Sequence, residues 1–217
     1  MDTLSIIECI ILLIVSGICI IRYQRLSFPF KILAWAVIIS FILTILGNLF
    51  AIKYKNNAPT SQIDCITEFI FFSVIYYYLF KNKLVKKAIV ISIIVITVAF
   101  FINATFFQPF NKVFPTYIYA PSQILFAVFS LLLFKEMLMY PVKINIVKQS
   151  VFWYNTAILF YSTTMFFFLG LSNYLAEHNL NDNFIFNFWY IISDVFHILI
   201  CIAILTENKD IIAVDER

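Results

Sequence analysis

Charge is scarce in this chain. Only 12% of its 217 residues are Asp, Glu, Lys or Arg, against about 25% in a soluble domain. Hydrophobic residues make up 63%, and the mean hydropathy is +0.94. This balance excludes a soluble globular protein and implies a membrane protein. Glycine is limited to three residues, each alone inside an apolar run (Gly17, Gly47 and Gly170), which argues against the broken helices common in secondary transporters. The two histidines, His178 and His197, form no HxxH, HxxxH or HExxH pattern, so the paired-His ligand set of many zinc enzymes is absent. Intramembrane hydrolases built on Ser, Asp and several His are set aside on the same ground. Residues 184–205 contain no Lys, which removes the Schiff-base partner of a retinal protein.

The abundant feature is long apolar runs. Seven of them are free of Lys and Arg: residues 4–21, 32–52, 63–80, 88–107, 114–134, 151–174 and 184–205. Each is long enough to cross about 30 Å of hydrocarbon as a helix. The spacing predicts an all-α membrane protein, a single domain over 1–217 formed by a bundle of seven transmembrane helices, with 206–217 as a short cytoplasmic tail. Seven spans of about 20 residues occupy about 140 residues, and the remainder is too small for a soluble catalytic or nucleic-acid-binding domain. The link at 108–112 is brief, so spans four and five are expected to form a tight hairpin.

Basic residues set the orientation, because short cytoplasmic loops retain Lys and Arg. The loops after spans one, three and five and the tail hold twelve of the fifteen: Arg22, Arg25, Lys31, Lys81, Lys83, Lys86, Lys87, Lys135, Lys143, Lys148, Lys209 and Arg217. Only Lys53, Lys55 and Lys112 lie on the other side. The N-terminus is expected outside and the C-terminus in the cytoplasm, with the protein multi-pass in the cell inner (cytoplasmic) membrane. The net charge of +3 then reflects this bias rather than a nucleic-acid patch. The first span has Asp2 before it and Arg22 and Arg25 after it, unlike a cleaved signal peptide, and is expected to be retained.

Ionisable groups inside hydrocarbon are costly and mark partners or function. Four acids qualify: Glu8, Asp64, Glu68 and Asp194. Glu8 lies about 6 Å below the outer end of span one and Asp194 about 15 Å below residue 184, at about 1.5 Å per residue. His197 is one turn deeper, and i, i+3 spacing places it on one face with Asp194, Tyr190 and Cys201. Asp64 and Glu68 share a face by i, i+4 spacing at the outer end of span three, where Asp64 can also act as a cap at the helix N-terminus. Asn48, Asn103, Gln123, Ser172 and Asn173 fall in outer halves of spans, whereas the inner halves offer mainly Ser92, Asn155 and Thr206. The expectation is an outward-opening acidic pocket for a small or cationic solute, with Glu68, Asp194, His197, Asn48, Asn103 and Tyr190 as its ligand-binding residues. Tyr117, Tyr119 and Tyr190 would add π-faces for a cation. Ser40, Thr44 and Gly47 form a small-residue stripe suited to close helix packing. Cys9, Cys19, Cys65 and Cys201 read as buried thiols, since a Cys9–Cys65 disulfide would need spans one and three as neighbours.

Spans six and seven carry the most particular wording: Phe152, Trp153, Tyr154 and Asn155, then Phe166, Phe167 and Phe168, Ser172 and Asn173, and finally Phe188, Trp189 and Tyr190 leading to Asp194. This resembles the small seven-helix bacterial membrane modules found alone or fused ahead of a sensor histidine kinase. In that family a Trp-x-Asn opens span six and an Asn closes it, matching Trp153, Asn155 and Asn173; the family's Asn-rich face in span seven is replaced here by Asp194 and His197. The resemblance implies a sensory or signal-coupling role, with the short tail handing the signal to a separate partner protein. A small solute transporter using the same polar residues is the alternative, and it would need a polar path continuing to Asn155. No complete catalytic set is visible, so no enzyme, cofactor or metal is expected; membrane lipid is the obligatory surrounding. Reporter fusions at Asn181 and Lys209 are expected to give opposite topology signals, and matching signals would mean a miscounted span.

Overall fold

The structure, a computed structural model, describes residues 3–140, 145–178 and 183–207, with side chains described outside 172–177 and 183–186. The expectations for the side chains of Ser172 and Asn173, for the loop at 179–182, and for Lys143, Lys209 and Arg217 lie outside the described residues. The fold is all-α, with helices α1 (Thr3–Arg22), α2 (Phe28–Tyr54), α3 (Ala58–Leu79), α4 (Lys83–Ile102), α5 (Thr116–Met139), α6 (Ser150–Glu177) and α7 (Asn183–Thr206). Among the described residues, five segments are long and apolar enough to cross a membrane: Thr3–Arg25, Phe28–Tyr54, Lys83–Phe107, Thr116–Met139 and Asn187–Thr206.

Local chemistry explains the helix starts. Pro29 and Pro59 sit in the first turns of α2 and α3, where a missing N–H costs nothing and the fixed φ favours the helix. Asn82 caps α4, its side chain accepting from the Leu84 N–H at 2.8 Å, as short polar side chains do at helix starts. Between α2 and α3, Lys55 takes a left-handed φ of 52°, which reverses the chain within three residues.

The helices pack in a ring, α1 against α2 and α7, α2 against α3, α3 against α5, α5 against α6 and α6 against α7, with α4 outside on α3 and α5. Buried aromatic side chains of α3 reach across this ring: Phe72 meets Phe126 of α5, Tyr154 of α6 and Phe196 of α7 at centroid distances of 5.8, 6.4 and 5.9 Å. Outward faces remain apolar, with Leu13, Ile14, Val95 and Val98 all exposed, as a lipid-facing surface requires.

Two knots close the ends of the ring. At one, the Glu207 carboxylate is 1% exposed, accepts from the Ser27 N–H at 3.3 Å and from the Ser150 hydroxyl, and so binds the starts of α2 and α6 to the end of α7. An anion is favoured at those helix N-termini, and Arg22 adds a bond to the Glu207 carbonyl at 3.0 Å. At the other end, residues 108–115 fold over the first turns of α3. Gln62, fully buried, donates to the carbonyls of Gln108 and Val113 at 3.2 and 2.9 Å, and Asn56 donates to the Asn111 carbonyl at 2.6 Å. The sequence reading began span three at residue 63; the helix begins at Ala58 because these polar turns are covered by protein.

The small-residue stripe of α2 faces α3. A Cβ built on Gly47 would stand 3.1 Å from Thr60 Oγ1, which is held by its own bond to the Asn57 carbonyl at 2.7 Å. Replacing Gly47 by Leu is therefore expected to destabilise the protein by about 1–3 kcal/mol, read as a lowered thermal midpoint; an unchanged midpoint would mean that α2 and α3 do not approach this closely.

Candidate functional site

The extended start of α3 places its acids deep. At about 1.5 Å per residue, Asp64 is about 9 Å and Glu68 about 15 Å from Ala58, comparable to the roughly 16 Å between Asn183 and Asp194. The first turn of α3 contains no acid, so Asp64 does not cap that helix. Ser40 of α2, another member of the small-residue stripe, stands beside it instead. Glu68 is met from α5 by Gln123. Glu68 is half-buried and Gln123 is 1% exposed, yet Oε1 of each is buried without a hydrogen-bond partner. Unpartnered buried oxygens are uncommon, and here two occur on side chains that meet one another.

Tyr119 and Tyr161 stand next to this pair, their hydroxyls 2.8 Å apart between α5 and α6. Tyr161 lies in electrostatic range of Glu68, Asp64 and Glu8, so acids from α3 and α1 converge on it. Above, Trp189 of α7 stacks on Tyr119 at 6.2 Å with 20° between planes, and Phe114 and Phe168 pack edge-on against Trp189 at 5.6 and 5.1 Å.

A second strand of the site runs along α1 and α7. The Ser193 hydroxyl donates to Glu8 Oε1 at 2.8 Å, and Glu8 also lies in range of Asp194 and Asp64. His197 is buried and sets Nδ1 2.7 Å from the Ser193 carbonyl and 3.5 Å from its hydroxyl. The imidazole thus leans back toward the preceding turn, as helical side chains do, and Asp194 Oδ1 has no hydrogen-bond partner. Ser193, adjacent to the residue selected from sequence, is the side chain that joins Glu8 to His197.

The remaining expected ligand residues separate. Asn48 ties α2 to α1, accepting from Ser5 at 3.0 Å and donating to Cys9 Sγ at 3.5 Å. Asn103 opens the π-helical turn Asn103–Phe107 and donates to Gln108 Oε1 at 3.0 Å, while its own Oδ1 is buried without a partner. Tyr190 is half-buried on α7, one turn before Asp194. All four cysteines are free thiols, with α2 set between α1 and α3. Among the described residues, no three His, Cys, Asp or Glu side chains form a group suited to a metal ion.

Below Glu68 the interior changes character. Phe69 and Phe72 of α3, Phe126 of α5, Tyr154 of α6 and Phe196 of α7 form one aromatic layer, with Phe69 and Phe126 5.3 Å apart and Tyr161 seated on Phe196 at 4.5 Å. Beneath it lies a polar knot. The Tyr76 hydroxyl donates to Asn155 Oδ1 at 2.9 Å and lies 2.5 Å from Ser130 Oγ, while Asn155 donates to the Ser130 carbonyl at 2.9 Å. All three residues are fully buried.

No protein-family model, curated protein or solved structure matches the chain. A double-mutant cycle on Glu8→Gln and Ser193→Ala is expected to give a coupling energy of about 0.6–1.7 kcal/mol, the range for side-chain hydrogen bonds inside membranes. Additive effects in detergent-titrated unfolding would separate the two residues.

Proposed function

We propose that the protein is an integral membrane sensor or signal-coupling protein: a seven-span bundle in the cell inner membrane, N-terminus outside and C-terminus in the cytoplasm, that binds a small cation at the Glu68 cluster and relays the event to a separate partner. The carrying observation is the pair of unpartnered buried oxygens on Glu68 and Gln123, beside two tyrosines and within the field of further acids. A cation there would gain charge attraction, the vacant acceptors and aromatic π-faces together.

The interior below favours sensing over transport. A transporter needs a polar path from Glu68 to Asn155, and the layer of Phe69, Phe72, Phe126, Tyr154 and Phe196 occupies that route. The Tyr76, Ser130 and Asn155 groups beneath it bond to one another, a structural use of polarity that joins α3, α5 and α6. Binding at Glu68 would act on the same three helices from above, which gives a signal a mechanical route without a path for the solute. The likeness of spans six and seven to sensory modules points the same way.

The test is a thermal-shift screen of small inorganic and organic cations on the purified protein. A cation present at 100 times its dissociation constant is expected to stabilise the fold by about 2.7 kcal/mol. The stabilisation should be lost in Glu68→Gln and should weaken as pH falls, because a protonated carboxyl no longer attracts the cation. Stabilisation that survives Glu68→Gln would place binding elsewhere, and cation flux into proteoliposomes would replace sensing by transport.

A further inference from the structure

A cleft of about 440 Å³ opens where the α3–α4 turn meets the end of α5. Its chemistry is divided. Phe80, Val85, Leu132 and Met139 supply apolar wall, while Lys81 and Lys135 bring ammonium groups to the lining. Both lysines are exposed. Glu136, the carboxylate in the lining, is turned to the backbone, its Oε1 accepting from the Lys81 N–H at 2.7 Å. That bond and the Asn82 cap of α4 fix the turn that carries Lys81, and Phe80 beneath it is 1% exposed. The cleft is therefore built rather than left between mobile side chains.

Its position adds two further constraints. The N-terminus of the 20-residue helix α4 contributes Asn82 and Val85 to the lining, and its dipole reinforces positive potential there. Along α5, Ile124, Val128 and Leu132 are all exposed and follow one another at i, i+4 spacing, so an apolar stripe runs from the cleft along the helix. A ligand that satisfies both parts has an anionic head and a long apolar tail.

We propose that this cleft binds an anionic phospholipid, with the headgroup phosphate between Lys81 and Lys135 and an acyl chain along Leu132, Val128 and Ile124. Basic pockets between helices on the cytoplasmic side of membrane proteins are suited to such headgroups. The argument uses residues separate from the Glu68 cluster and does not depend on what that cluster binds.

The test uses the full-length protein purified in a neutral detergent and native mass spectrometry with three probes: phosphatidylglycerol, phosphatidylcholine of the same acyl chains, and glycerol phosphate. The wild type should retain phosphatidylglycerol in preference to the other two. The double variant Lys81→Gln/Lys135→Gln should weaken phosphatidylglycerol binding on the order of ten- to thirtyfold, two lysines being lost near a headgroup. Lys53→Gln/Lys55→Gln, at the other end of the bundle, should leave it unchanged, and Lys81→Arg/Lys135→Arg should retain it, which separates lost charge from lost folding. Equal retention of phosphatidylglycerol and phosphatidylcholine overturns the proposal, as does undiminished binding in the Gln double variant. Binding of glycerol phosphate as tight as that of phosphatidylglycerol would assign the cleft to a free phosphate compound instead.

Discussion

The burial of α3 is the constraint around which the bundle is arranged. This helix carries Thr60, Gln62, Asp64, Glu68, Ser73 and Tyr76, and apolar surroundings offer none of these groups a partner. Every unsatisfied polar group inside hydrocarbon costs free energy, so neighbours must supply the bonds. The loop at 108–115 bonds to Gln62 and Ser130 with Asn155 bonds to Tyr76, while Ser40 stands beside Asp64 and Gln123 beside Glu68. Read from one end of α3 to the other, these contacts involve the α4–α5 loop, α2, α5 and α6 in turn. The ring order follows from where α3 can be satisfied, and α4, with its mostly apolar surface, is left outside.

Satisfaction is uneven along that helix, and the unevenness separates structure from candidate function. At Tyr76 every donor and acceptor has an intramolecular use, in a fully buried knot. One and two turns earlier, at Phe72 and Phe69, aromatic rings from four helices pack together, with the Ser73 hydroxyl buried among them. Among the described residues, the α3 side-chain atoms buried without a partner are Gln62 Oε1, Glu68 Oε1 and Ser73 Oγ, and at Glu68 a second such atom, Gln123 Oε1, joins it from α5. A sequence selected only for stability would replace either residue, since a half-satisfied polar group in a buried site is worse than an apolar one. That is the physical reason to put the candidate site at the Glu68 level and a fastening at the Tyr76 level.

Much of the fold was legible because hydropathy is a long-range signal: seven apolar runs correspond to seven helices, with boundaries shifted where protein covers polar turns. Helix α3 starts five residues before the apolar run at 63–80, because the turns at 58–62 look like a loop until residues 108–115 are laid over them. Glu68 could be selected from cost alone, and Ser40 and Gly47 from size alone. Partner choice could not. Helical periodicity puts Asp194 and His197 on one face, but it cannot tell that the imidazole settles on the Ser193 carbonyl, nor that Glu8 reaches Ser193 across the α1–α7 seam. Glu207 carried no sequence signal, since its role depends on the starts of α2 and α6 arriving at the same place.

The two ends of the bundle use carboxylates in opposite ways, and the contrast bears on how a signal could pass. Glu207 and Glu136 are committed to backbone N–H groups; they hold helix ends and would resist displacement. Glu68 and Asp194 each retain an oxygen without a partner, so a ligand can bind there without first breaking an internal bond. A change begun at Glu68 meets α3 and α5 directly and α6 through the Tyr119–Tyr161 contact. Those helices are joined again at Tyr76, Ser130 and Asn155, and α3 and α5 then converge on the Lys81–Glu136 contact beside the cationic cleft. Movement of α3 relative to α5 would therefore alter both the Glu68 level and the basic end of the bundle, with the packed aromatic layer lying between them.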